Sequence, residues 1–491
     1  MLPAMGRRQP AQRRLSARFD QRPVLLASLP ILVALLWLQG LQVSRRFIDP
    51  DELEHLNGAY FTTRGETLYG SFFENHPPLT AVLLQPVVRS SDVPEALIAR
   101  GRWLMLALSA CLLAATARLA WHVGGVSAAV VAPTLLLAHP FYFDKTMEVR
   151  PDVPALLLLV AGLHLLLRMS SSGRRSAALA AGTLLCAAGL FTPKVVFVAI
   201  GAVVAATLTS GRRAESARVR ATLRSLGWIV AGAAIVVGIT AVVLTWYGVL
   251  GGFMADVVGT SLRMRIDDVA FFRHYYLTQA ITDGWVTWAL AALGAIALRA
   301  RPAGPPGFAQ IQCWSVAAGL VGVFVTKAPL RQFFLMFVPA LAVLAAYGAA
   351  TLGRWLTIRQ PPLVSGIITA GLIVLATVPA IRAALTPQRP IDWQLRTINT
   401  VVSVTGPDDR VLDTSQGLYL TRLPAYRYFY LNPDVVRLLP PDQLTEGLLA
   451  ALQNPRVKVA FADETLPGPV AAFVRDRFEL IPYGAPARLR R

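Results

Sequence analysis

This chain is organised around apolar runs that are too long for a water-soluble core. About eleven of them follow one another at roughly 23–43, 97–119, 126–143, 153–169, 176–192, 194–210, 226–250, 281–299, 309–326, 330–350 and 363–384, each near the ~20 residues that a helix needs to cross ~30 Å of hydrocarbon. Lipid offers no partner to a backbone amide, so each run must satisfy its own hydrogen bonds as a helix. The expected fold is therefore mainly α: a polytopic transmembrane helical bundle. Composition agrees, with 55% hydrophobic and only 15% charged residues, against about 25% charged in an ordinary soluble domain. The first run sits where a signal peptide would. Its length, and the lack of a small-x-small cleavage site, make it a retained first helix.

The net charge of +19 invites a nucleic-acid reading, which the distribution rejects. Arginine is gathered in short segments between the runs, as the positive-inside rule expects, and no basic stripe interleaved with aromatics occurs. Arg7, Arg8, Arg13, Arg14, Arg18 and Arg22 precede the first run, which places the N-terminus in the cytoplasm. Arg168, Arg174 and Arg175, then Arg212, Arg213, Arg218, Arg220 and Arg224, then Arg299 and Arg301, then Arg354 and Arg359 mark further inside loops. Residues 44–80 are acidic by contrast, with Asp49, Asp51, Glu52, Glu54, Glu66 and Glu74. An odd number of spans leaves the C-terminus outside, and the expected location is the plasma (inner) membrane. Cys111, Cys186 and Cys313 all lie in apolar runs and suggest neither a disulfide nor a zinc site.

Two domains follow. Residues 1–385 form the membrane domain, which carries a first outside loop at 44–96; residues 386–491 form a small extracytoplasmic α/β domain. In the first outside loop, His55, the stretch Gly58-Ala59-Tyr60-Phe61, and Leu79, Val82 and Leu83 suggest surface helices lying on the bilayer. A second outside segment, 251–280, brings Met254, Phe271, Phe272, Tyr275 and Tyr276 to the interface. In the tail, 410–413 and 457–461 read as strands, and 441–453 and 468–478 as helices.

Ionisable residues at a membrane boundary carry the chemical signal. Asp51 and Glu52 begin a short helix, and Asp51 and His55 share a face by their i, i+4 spacing. A carboxylate at that boundary can act as a general base on a hydroxyl if its surroundings raise its pKa. A solvated acidic loop would carry the same residues. Glu74-Asn75-His76-Pro77-Pro78 presents His76 on a backbone stiffened by two prolines, where it could donate to a phosphate. Asp144, Lys145, Glu148, Arg150 and Asp152 are denser than a connecting loop requires, and Arg150 could hold a phosphate or orient a carboxylate. Lys194, Lys327 and Arg331 lie at outer junctions, against the charge bias, and together could neutralise a phosphate leaving group. Singly, each reads as a snorkelling side chain. Asp51, His55 and His76 offer mixed oxygen and nitrogen ligands, so a divalent metal stays open without being required. Glu52-x-x-His55 is half of a di-metal carboxylate motif whose second copy is missing.

Together these features resemble the GT-C membrane glycosyltransferases, in the branch of the protein O-mannosyltransferases and the lipid A aminoarabinose transferases. The likeness covers most of the membrane domain. It rests on Asp51-Glu52 after the first run, His76-Pro77-Pro78-Leu79, Arg150-Pro151-Asp152, and Arg331-Gln332-Phe333-Phe334 leading into Val338-Pro339-Ala340-Leu341. The resemblance implies a sugar donor on a polyprenyl phosphate, a lipid, glycan or protein acceptor, and inverting transfer on the outer face. It makes Asp51 the catalytic carboxylate with Glu52 in support, and Asp152 a second carboxylate near the site. Many relatives have Lys where this chain has His76, a departure that shifts phosphate binding toward Lys194 or Arg150. The family includes members with and without metal, so no cofactor follows. The rival reading is a transporter or flippase of a lipid-linked sugar. Transporters place their charges near the midplane of repeated halves, whereas here the charges sit at outer junctions and no repeat is visible.

Overall fold

The computed structural model describes residues 20–209, 215–386, 391–431, 433–461, 466–481 and 487–490. Arg7, Arg8, Arg13, Arg14 and Arg18, and Arg212 and Arg213 of a loop expected inside, lie outside the described residues.

Helix α1 (Arg22–Gln42) leads to α2 (Pro50–Thr63) and α3 (Leu79–Val88). Then come α4 (Pro94–Ala138), the short α5 (Pro140–Lys145), α6 (Asp152–Ser172), α7 (Arg175–Gly189), α8 (Val196–Thr209) and α9 (Glu215–Trp246). An irregular helical segment at 250–263 precedes α10 (Val269–Ala300), α11 (Phe308–Val325), α12 (Val338–Leu356) and α13 (Pro362–Leu385). The expected runs are thus helical, and among the described residues seven helices are long and apolar enough to cross a membrane: α1, α4, α6, α9, α10, α11 and α13. The difference from about eleven has local causes. The runs 97–119 and 126–143 lie in one unbroken stretch, α4, which is two helices meeting at a kink at Gly125 (φ 62°, ψ −147°), a positive φ that glycine tolerates, so two runs count there as one stretch. Helices α7 and α8 have 15 and 14 residues, and at 1.5 Å per residue they fall short of a ~30 Å core. Helix α12 is buried without interruption from Val338 to Ala350, as the centre of a bundle requires. Helix α9, by contrast, leaves Val230, Ile235, Ile239 and Val242 exposed, as a lipid-facing helix does.

The C-terminal part is the expected α/β unit. Helix α14 (Asp392–Ser403) precedes strands β1 (Arg410–Leu412) and β2 (Leu423–Pro424), then α15 (Pro441–Gln453), β3 (Val457–Phe461), α16 (Gly468–Arg477), β4 (Phe478–Leu480) and β5 (Ala487–Arg490). The sheet order is β2-β1-β3-β5-β4. Strands β2, β1 and β3 run parallel, while β5 is antiparallel to β3 and β4.

One expectation is corrected here. Helix α2 does not lie on the bilayer with one face down: every residue from Glu52 to Phe61 is buried. Leu53, Leu56 and Ala59 share an apolar core with Leu97, Ile98 and Met105 of α4 and with Ile398, Val401, Leu418 and Phe429 of the C-terminal domain. Burial of Leu53, Leu56, Ala59 and Phe61 alongside the polar Glu52, Glu54, His55 and Asn57 follows from α2 having two partners, α4 and the C-terminal part. Hydrogen bonds fasten the roof. Gln394 donates to the Ile48 carbonyl (2.8 Å) and accepts from its amide (2.7 Å), and Asn57 donates to the Gly417 carbonyl (3.0 Å). The aromatic segment behaves more as expected, with Met254, Phe271 and Tyr275 about half exposed.

Candidate active site

Local chemistry places Asp51. Asp49 caps α2, its side chain accepting from the Asp51 amide (3.1 Å) while the Asp49 amide donates to Glu52 (3.1 Å). Pro50 occupies the first turn, where its missing N–H costs nothing. The next carboxylate is consumed structurally. Glu52 accepts two bonds from Arg102 of α4 (2.9 and 2.7 Å) and one from the Val149 amide (3.1 Å), and both charged side chains are 0% exposed. Arg102 also donates to the carbonyls of Val43, Arg46 and Phe47. Glu52 therefore clips α2 to α4 and to the loop before α6, and aims its neighbour. Sequence reading overlooked Arg102, although an arginine inside an apolar run signals a buried partner.

Asp51 is the accessible member of the pair, its side chain 29% exposed. One oxygen meets the Arg150 guanidinium at 2.5 Å, and the other accepts from the Tyr430 hydroxyl of the C-terminal domain at 3.1 Å. Burial pushes the Asp51 carboxyl up, but Arg150, then His76 and Lys145, with the Tyr430 hydroxyl, hold it well below the usual carboxylate range. Arg150 also faces Glu148 (3.3 Å), Asp152 (3.4 Å) and Asp49 (3.5 Å). Lys145 bridges Asp49 (3.1 Å) and Glu148 (2.9 Å), and Lys194 reaches Asp152 at 3.2 Å. Arg46 joins Asp144 and Glu148, both at 2.7 Å. Arg331 stands at the edge, 3.4 Å from Asp144 and against the rings of Phe141 and Tyr276.

The same helix carries a second cluster. Glu54 and His55 are buried, and Glu74 and His76 approach from the loop before α3. The His76 Nδ1 lies 2.8 Å from Glu74 and 3.7 Å from Glu54, and its ring meets that of His55 edge-on at 4.5 Å. Burial, then Glu74, then Asp51 push the Glu54 carboxyl well above the ordinary range. Burial, then His76 and Arg150, push His55 well below its own. One ligand atom each from His55, Glu74 and His76 lie within 4.8 Å of one another, a set able to hold a metal ion. This corrects the expected set of Asp51, His55 and His76: Asp51 belongs to Arg150, and Glu74 brings the carboxylate. Glu52, turned to Arg102, takes no part.

The fold thus assembles Asp51, Glu52, His55, His76, Arg150, Asp152 and Lys194 in one region, with Arg331 at its border. Lys327 is exposed outside the cluster. Asp49, Lys145, Glu148 and Tyr430 complete the charged network. Nothing in the sequence near Tyr430 signals its role, because the contact spans 379 residues.

No protein-family profile matches the chain, and no curated protein does. Solved structures do match. ArnT from Cupriavidus metallidurans, bound to undecaprenyl phosphate, superposes with a TM-score of 0.62 at 12% identity, over 94% of this chain and 96% of that one. The Archaeoglobus fulgidus oligosaccharyltransferase gives 0.57 at 12% identity, covering 88% of this chain and 69% of its own. The arabinofuranosyltransferase AftD from Mycobacteria gives 0.51 at 17% identity, covering 91% and 37%. Against a sequence identity this low, agreement over nearly the whole chain is agreement of architecture, and the architecture is the GT-C fold of membrane glycosyltransferases.

Proposed function

We propose that the protein is an integral-membrane inverting glycosyltransferase. It moves a hexosyl or pentosyl group from a polyprenyl phosphate to a hydroxyl of a lipid, glycan or protein at the extracytoplasmic face. The observation that carries this reading is the 2.5 Å pair between an accessible Asp51 and Arg150, with Lys145 and Lys194 in the same network. A base and a cationic cradle are what transfer from a lipid phosphate requires. The fold's relatives include proteins solved with undecaprenyl phosphate and with dolichol phosphate.

The pairing suggests an order of events. A donor phosphate entering beside Arg150 and Lys194 competes with Asp51 and Asp152 for these cations. Once Arg150 turns to the phosphate, the interaction that keeps Asp51 weakly basic is gone, and its basicity rises with the leaving group already in place. The acceptor oxygen then bonds to the anomeric carbon, and the bond from that carbon to the phosphate oxygen breaks. The electron pair departs on the polyprenyl phosphate, and the acceptor's proton passes to Asp51. The cations stabilise the departing anion. A single displacement inverts the anomeric carbon.

The test is a panel of polyprenyl-phosphate hexoses and pentoses offered to the purified protein in proteoliposomes, with mass spectrometry of lipid and acceptor. The expected result is consumption of a donor, release of polyprenyl phosphate and an inverted glycosidic bond. Movement of intact donor between leaflets, with no cleavage, would establish the flippase reading instead.

A further inference from the structure

We propose that His55, Glu74 and His76 bind one divalent cation of the zinc class. Resting on the donor reading above, we assign that ion's open coordination position to an oxygen of the donor phosphate.

Two imidazoles and one carboxylate form a donor set that suits zinc, and three protein ligands leave a position for an exchangeable oxygen. The three ligand atoms already lie within 4.8 Å of one another. Tetrahedral bonds of ~2.0–2.1 Å place ligands about 3.3 Å apart, so His76 Nδ1 and Glu74, now at 2.8 Å, must part by about half an ångström.

Three further observations set this group apart from a histidine that merely fills a core. First, His55 is 2% exposed and its Nε2 has no hydrogen-bond partner among the described residues, and such an orphan in a polar cluster needs an explanation. Second, Glu54 and Glu74 are both buried, yet among the described residues neither pairs with a lysine or an arginine. The carboxylates around Arg150 are all so paired. Third, a Cβ on Gly58 would stand 3.3 Å from the Glu74 carboxylate, so a larger residue one turn beyond His55 would crowd the ligand. The site adjoins the reacting region because Asp51 and His55 are one turn apart on the same face of α2.

The experiment uses full-length protein in detergent, with any affinity tag removed. Metal content is measured after purification without chelator, and the chelator-treated protein is then titrated with Zn²⁺ and with Co²⁺. The expected result is one tightly held ion per chain, with Co²⁺ producing visible ligand-field bands. Glu74→Gln should weaken binding by more than the ~10–100-fold typical of losing a mere supporting hydrogen bond. His76→Lys replaces the ion by a fixed cation, and should hold no metal and show a thermal midpoint insensitive to EDTA. Absence of stoichiometric binding by the wild type would overturn the inference without recourse to any variant. So would Glu74→Gln binding as tightly as the wild type. Metal binding without glycosyl transfer leaves the site standing and rejects the donor reading; transfer by metal-free protein with no binding does the reverse.

Discussion

One helical turn separates Asp51 from His55, and the two neighbourhoods are electrostatic opposites. Around Asp51 carboxylates face cations: Asp49 and Glu148 meet Lys145, Asp152 meets Lys194, and Arg150 touches several at once. Around His55 two carboxylates face imidazoles and the His76 amide, and among the described residues neither pairs with a lysine or an arginine. Burying a charge is costly unless it is paired. The first cluster is therefore complete in itself, and becomes reactive only when something displaces a partner. In the second, among the described residues, no lysine or arginine pairs with either carboxylate, and an ion would supply that positive charge. The comparison teaches that buried acids at this boundary fall into two kinds: those that hold cations in readiness, and those that call for one.

The largest effect should come from breaking the most enclosed pair. Glu52→Ala leaves Arg102 buried without its partner and should cost about 3–5 kcal/mol, the range for a broken buried ion pair. Fluorescence-detected size exclusion and thermal unfolding should show loss of folded protein. Glu54→Gln replaces a carboxyl that burial and Glu74 already push toward its neutral form, and should lose no stability. Equal losses in the two variants would erase the distinction between the clusters. Next, Arg150→Lys keeps the charge and loses the fork that spans Asp51 and Glu148. Transfer should fall on the order of 10²-fold while the protein still folds, as steady-state release of polyprenyl phosphate would report. Tyr430→Phe removes one hydrogen bond from Asp51, worth about 0.5–1.5 kcal/mol, so kcat/KM should change by no more than about tenfold.

The smallest expectation concerns pH. The Asp51 pKa is lowered, so in the free enzyme the carboxylate stays ionised as pH falls through its ordinary range and gains a proton only below it. Because kcat/KM reports the free enzyme, protonation of Asp51 should contribute no acid limb between about pH 5 and 8. A limb in that window whose midpoint moves in Asp51→Glu would contradict the pairing.

The bundle was legible because its signal is long apolar runs, which report lipid directly; the strands at 410 and 457 were legible from local composition. The number of spans was less so: α7 and α8 are shorter than their apolar surroundings imply, whereas the runs on either side of the Gly125 kink stay two helices. Within the site, Asp51, Arg150 and Asp152 could be picked out because charges at the ends of apolar runs need reasons. The difference between Asp51 and Glu52 could not, since it depends on which side of α2 meets Arg102. Tyr430 and the roof over α2 depend on contacts hundreds of residues apart, for which no local pattern exists. His55, Glu74 and His76 are 19 and 21 residues apart, and only the turn before α3 makes them neighbours.

The central claim rests on a single carboxylate, and Asp51→Asn in nanodiscs tests it most directly. Asparagine keeps the shape and can still accept from Tyr430, but it cannot take the acceptor's proton. Given a donor that the wild type consumes, the account predicts a fall of about 10²–10⁴-fold in polyprenyl phosphate release, with the elution profile and thermal midpoint of a folded protein. Release at the wild-type rate would show that the proton goes elsewhere, and the account would be wrong.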